Sequence, residues 1–122
     1  MRSTKQKQAI DEIFHSVNRP LSVDEITELA RKEVPSINAA TVYRNLKTLV
    51  ETGELTRISS SEAGTLYELN HTGHHHHFHC RTCGKTFDLP GCPLATNPHL
   101  PEGFTADSHE LFYYGICAEC SR

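Results

Sequence analysis

HHHHFHCRTC, residues 74–83, is the stretch on which the reading of this 122-residue chain turns. It sets four consecutive histidines, a fifth after one phenylalanine, and a CxxC pair within ten residues, and a second CxxC, Cys117 and Cys120, follows after 33 intervening residues. Thiolates and neutral imidazoles are the ligands that borderline-soft transition metals prefer, and two CxxC knuckles that meet in space supply four sulfurs for a closed tetrahedral zinc site. Cys80, Cys83, Cys117 and Cys120 therefore read as a structural clamp, and the histidines as a separate binding surface. An extended strand through this stretch alternates its side chains with a period of two. His74 and His76 then share one face and His75 and His77 the other, so one strand can feed two metal sites.

Size and composition narrow the setting. The length is that of one domain or of two small ones that each need help, and structural zinc is a standard aid for a small core. No stretch is apolar for the ~18 residues of a membrane span, and the N-terminal MRSTKQKQAI lacks the apolar core of a signal peptide. A cytoplasmic protein without membrane contact is expected, in which paired cysteines hold metal rather than form disulfides. A redox CxxC of the thioredoxin kind would need a βαβ setting that the flanking sequence does not offer. Net charge is −3, but unevenly spread: residues 1–57 carry nine Lys/Arg against eight Asp/Glu, residues 58–122 three against seven, with eight of the nine histidines. The first part is the better candidate to meet a polyanion and the second to hold cations.

Before the histidine stretch the pattern is helical. Thr4 can cap a helix with Ile10, Ile13, Phe14 and Val17 on one face, ended by Asn18, Arg19 and Pro20. Ser22 and Glu25 form a capping-box pattern for a second helix with Ile26, Leu29 and Ala30 inward. Asn38 caps a third that runs to about Thr52, with Gly53 as its stop. On this third helix Val42, Leu46, Leu49 and Val50 make the buried stripe. Ala40, Arg44 and Lys47 lie opposite, flanked by Tyr43 and Thr48. A small, basic and aromatic face suits a major groove: Arg44 can fork onto guanine, Tyr43 can meet a thymine methyl or a phosphate, and Lys47 can neutralise backbone charge. An ordinary solvated helix face would look similar. The strand-like LTRIS and TLYEL on either side of SSEAG tip the balance, because helices followed by a two-stranded wing describe a winged helix.

From Asn70 the composition changes, and NHTG marks a hinge. After the first knuckle TFDL reads as the antiparallel partner of the histidine strand. Prolines 90, 93, 98 and 101 rule out a continuous helix in the next segment, and ELFYYGIC reads as a strand that returns the second knuckle. The expected fold is α+β, with a winged helix-turn-helix DNA-binding domain over residues 1–69. A small α/β or mostly-β zinc-stabilised dimerisation domain takes residues 70–122.

NAATVYRNLKTLVETGELTRI resembles the recognition helix and wing of the ferric uptake regulator family. YEL with HHHHFHCRTCGK, and then HELFYYGICAEC, is similar to that family's metal-binding and dimerisation domain. The likeness runs from TKQKQAI to CAEC. It implies a homodimeric repressor that binds a palindromic double-stranded DNA operator when loaded with a divalent metal, and it adds Thr41 of TVYR to the DNA-facing set Ala40, Tyr43, Arg44 and Lys47. Carried over by position, the four paired cysteines match structural zinc ligands, while His74, His76 and His109 match one further site. Glu68, His75 and His77 match a hinge-side site, which Asp88 joins in some members.

The chain also departs from the family. Where a dimer-domain helix and an acidic ligand are usual, it has a proline-rich segment and Ala95, which leaves Cys92 as first candidate and His99 as second for the fourth ligand of the His74 site. Arg19, Pro20 and Leu21 stand where a histidine is frequent before the second helix, so the hinge-side site is expected to be weaker or empty. His79 is the expected bystander of the histidine run.

A metal-responsive repressor of metal uptake genes, not an enzyme, is expected. Zinc is favoured over iron or manganese as the sensed metal because histidine with thiolate is softer than histidine with carboxylate. Iron-type members also more often carry an aspartate at position 76. Iron or manganese sensing, and peroxide sensing through iron-bound histidine oxidation, stay open. A zinc hydrolase with Glu68 or Glu110 as base would leave the winged helix unexplained and lacks HExxH spacing. A zinc interaction module without DNA is the remaining rival.

Overall fold

The computed structural model describes residues 4–70, 75–92 and 100–122, so His71, His74, Ala95 and His99 lie outside the described residues. The chain divides into two compact units, Met1–Asn70 and His71–Arg122.

The first unit holds three helices and a hairpin: α1 (Thr4–Ser16), α2 (Val23–Ala30), α3 (Ala39–Glu51), β1 (Leu55–Ser60) and β2 (Gly64–Leu69). The ends of the helices follow from local chemistry. Thr4 is already helical, so it is not the cap that the sequence suggests. At α2 the Ser22 hydroxyl accepts from the Glu25 amide at 3.2 Å, and the Ser22 amide donates to the Glu25 carboxylate at 3.0 Å. At α3 the Asn38 side chain accepts from the Thr41 amide at 2.9 Å. Each bond satisfies a donor that helix geometry leaves orphaned. Helix α3 stops where Gly53 takes φ 86°, with Gly53 donating to the Val50 carbonyl and Glu54 to the Leu49 carbonyl. That paired closure needs a left-handed residue, which glycine adopts without a Cβ clash.

The core is one cluster from every element: Ile10 and Phe14 of α1, Ile26 and Ala30 of α2, Val42, Leu46 and Leu49 of α3, with Leu21, Ile37, Leu55 and Tyr67. The apolar stripes expected on the helices are the ones buried, with Val17, Leu29 and Val50 at its margin. The hairpin is antiparallel in the register Leu55 to Leu69 through Ser60 to Gly64. It is bound to the helices by backbone as well as by side chains. Leu21, between α1 and α2, exchanges two hydrogen bonds with Tyr67 at 2.9 and 2.8 Å. This is a winged helix-turn-helix unit.

The second unit is a three-stranded sheet in the order β4-β3-β5, from β3 (His75–Cys80), β4 (Thr86–Pro90) and β5 (Phe112–Gly115). Strand β3 is central, antiparallel to β4 and parallel to β5. Of the expected α/β or mostly-β alternatives, the described residues of this unit form strands and turns. Gly84, at φ 79°, closes the tight turn after Cys83 that sends the chain back into β4. Among the described residues no helix is long and apolar enough to cross a membrane.

Candidate metal centres and DNA-facing helix

Three groups of ligand atoms and one exposed helix face carry the chemistry. The first group is the four paired cysteines. Cys80 ends β3, Cys83 lies in the turn after it, and Cys117 and Cys120 follow β5. Because β5 runs parallel to β3, the two strands deliver their knuckles to the same end of the sheet. All four sulfurs lie within 4.8 Å of one another, and Cys83 Sγ to Cys117 Sγ is 3.9 Å. Two sulfurs on one tetrahedral zinc at ~2.3 Å would stand ~3.8 Å apart, so the cage has the right size.

Its electrostatics are already arranged for anions. Cys80 is buried, and its sulfur accepts the amides of Cys83 and Cys117, each at 3.4 Å. Those donors, Cys83 first, hold the Cys80 thiol down from 9.0 to about 6. Cys120 moves the other way, to about 12, because its proton is shared with Cys117 and burial disfavours a further negative sulfur. Without a cation, a further thiolate beside that of Cys80 is disfavoured by repulsion. A divalent ion would relieve this, and the donor set fits zinc.

The second group joins His76 of β3 to Cys92 and His109, both from the segment between β4 and β5. His76 Nε2 lies 3.1 Å from His109 Nε2, and Cys92 Sγ lies 3.3 Å from each. Two imidazole nitrogens on one tetrahedral ion at ~2.05 Å would be ~3.3 Å apart. His76 is 2% exposed, whereas Cys92 and His109 are exposed. The third group uses the other face of β3. His75 and His77 set their Nε2 atoms 3.7 and 3.4 Å from Asp88 Oδ1, which register places directly across from His77 on β4. A second ligand set, imidazoles with a carboxylate, is thus built on the reverse side of the same strand, and its donors also fit a divalent ion.

The remaining predicted residues fall as follows. Glu68 is on β2 in the first unit, paired with Thr56. His79 is directed elsewhere, with Nδ1 2.8 Å from Thr86 Oγ1 and its ring T-shaped to that of Tyr114. His15 bonds the Asp11 carbonyl at 2.9 Å. On α3, Ala40, Tyr43, Arg44 and Lys47 are exposed and Thr41 is half-buried. Tyr43 is among the exposed large side chains of the chain at 48%, and Arg44 donates to Thr41 Oγ1 at 3.3 Å. One cation outside the predicted set, Arg57 of β1, lines a cleft with Tyr43 and Lys47. The only hint in sequence is that Arg57 is the sole charged residue of LTRIS.

Known proteins resemble this chain along nearly all of its length. A profile of the Ferric uptake regulator family matches residues 1–114. The chain is 30% identical to a ferric uptake regulation protein of Bordetella parapertussis, over 100% of this chain and 91% of that one. It is 29% identical to a peroxide-responsive repressor, PerR, of Staphylococcus aureus, over 98% and 82%. The solved structure of a zinc-bound manganese uptake regulator superposes with a TM-score of 0.75 at 25% identity, over 96% of this chain and 91% of that one. With a winged helix, a four-cysteine cage and two histidine clusters on one strand, the chain belongs to the ferric uptake regulator family of metal-responsive transcription regulators.

Proposed function

We propose that the protein is a zinc-responsive repressor of metal-uptake genes that binds a palindromic operator as a homodimer. The observation that carries the choice of metal is the His76, Cys92, His109 triangle. A thiolate beside two imidazoles is a softer set than one completed by carboxylates, and it favours zinc over iron or manganese. His74 is the fourth member of this site in the proposal, and Cys80, Cys83, Cys117 and Cys120 hold a structural zinc. His75, His77 and Asp88, with the Glu68 that the resemblance adds, form an accessory site whose ligands suit a harder ion. What the regulatory ion supplies when bound is a cross-link between β3 and the segment before β5.

The chain's own residues do the rest. Ala40, Thr41, Tyr43, Arg44 and Lys47 read and grip DNA. The histidine strand couples metal occupancy to the population of dimers whose two α3 helices match successive major grooves. The test is selection of duplexes from a randomised pool by zinc-loaded and by chelated protein. Enrichment of a two-fold symmetric site by the zinc form alone is expected. Equal enrichment with and without metal, or better enrichment with iron or manganese at matched occupancy, would sink the zinc assignment.

A further inference from the structure

Lys47 of α3 and Arg57 of β1 line one cleft of about 230 Å³, together with Tyr43, Val50, Glu51 and Tyr67. Tyr43, Lys47 and Val50 follow at i, i+4 and i+7, so the cleft runs along the edge of the DNA-facing side of α3 and is closed by the wing. Its floor is apolar and fixed: Tyr67 is 2% exposed and tied by backbone to Leu21, and Val50 packs against the core.

The two cations are not engaged elsewhere. Among the described residues neither the Lys47 nor the Arg57 side chain takes part in a hydrogen bond or an ion pair, whereas the Arg19 side chain is held by Glu25 at 2.9 Å. Glu51 shares the cleft without pairing with either. Two cations and one carboxylate leave a net single positive charge, which one phosphodiester would balance and a dianionic phosphate monoester would exceed. The Tyr43 hydroxyl at the rim can donate to a phosphate oxygen.

We propose that this cleft seats one phosphodiester of duplex DNA, shared by Lys47 and Arg57, and that Arg57 is a positioning residue fixing how α3 lies in the groove. The proposal rests on the DNA-binding reading given above. Contacts of this kind position a protein on the duplex and reveal themselves through salt dependence rather than sequence preference.

The experiment measures binding of the metal-loaded full-length protein to a fluorescent duplex of about 30 base pairs across a salt series. The plot of log K against log salt should flatten by about 0.9, one phosphate, in the R57Q/K47Q double variant, and R57K should keep the wild-type slope. An unchanged slope in the double variant overturns the cleft. A loss of about twice that value overturns the sharing, because each cation would then hold its own phosphate. Metal content and melting temperature, measured on the same samples, separate a lost contact from a lost fold. If wild-type protein fails to bind duplex DNA at all, the DNA-binding reading falls and takes the cleft with it, an outcome distinct from wild-type binding with an unmoved slope.

Discussion

His76 Nε2 stands 3.1 Å from His109 Nε2 across 33 positions of chain, with Cys92 Sγ 3.3 Å from both. Three lone-pair donors this close, one of them 2% exposed, are unfavourable unless a proton or a cation lies among them. Changing Cys92 or His109 to alanine should therefore abolish one divalent equivalent per chain and keep the zinc of the four-cysteine cage. Affinity should fall by more than the ~10–100-fold that follows loss of an outer-shell partner. Element-resolved mass spectrometry after gentle purification reads the stoichiometry. Unchanged metal content and affinity in both variants would remove the triangle from the regulatory role.

The cysteine cage has a proton signature. Cys80 is already ionised above about pH 6, whereas Cys120 stays protonated toward about 12. Zinc binds thiolates, so loading must eject protons, and at about pH 7.5 the number released should be fewer than four per ion because Cys80 has none to give. As pH falls below about 6, Cys80 gains a proton as well, and zinc affinity should drop more steeply. For the metal-free fold the signs differ. The lowered Cys80 value stabilises above 9.0 and is lost as pH falls toward about 6. The raised Cys120 value stabilises below 9.0 and is lost as pH rises toward about 12. Calorimetry of zinc binding in buffers of different ionisation enthalpy measures the release. A full four protons per ion near neutrality would refute the poised state of Cys80.

Much of this was legible because its physics is local. Ser22 with Glu25, Asn38, and Gly53 each act within one helical turn, so the limits of α2 and α3 could be read from a few residues. The period-two split of His75 and His77 from His76 follows from strand geometry alone, and the structure puts Asp88 on one face and Cys92 with His109 on the other. What could not be read depends on chain segments distant in sequence. The return of Cys117 to Cys80 was expected from the paired knuckles, but the parallel pairing of β5 with β3 that achieves it follows from no spacing rule. Arg57 escaped for the same reason, since its nearness to Lys47 is made by the docking of the wing on Leu21.

Arg44 is exposed on α3, steadied by Thr41 Oγ1 at 3.3 Å, and far from the cysteine cage in sequence. Arginine forking onto a guanine edge is worth ~1–3 kcal/mol of discrimination. Replacing Arg44 by alanine should thus weaken binding to the selected operator by about 10- to 100-fold and relax preference at one base position. Metal content should not change. Fluorescence anisotropy with operator and single-base variants measures both effects. Operator binding unaltered in this variant would favour the reading of the helix face as merely solvated.

The α3 helix begins with a single cap, since the Asn38 side chain accepts the Thr41 amide at 2.9 Å and Asn38 itself is exposed. Asn38→Ala should cost about 1 kcal/mol by releasing that amide, with little change in packing. Leu46 sits in the middle of the same helix at 0% exposure, inside the cluster that all three helices share. Leu46→Ala should cost about 2–5 kcal/mol through lost burial and the cavity left behind. Urea denaturation followed by far-ultraviolet circular dichroism distinguishes the two. The midpoint should shift slightly for the cap and strongly for the core, with the slope of the transition preserved in both. Equal shifts would mean that the helix is held mainly by its end rather than by the face it buries.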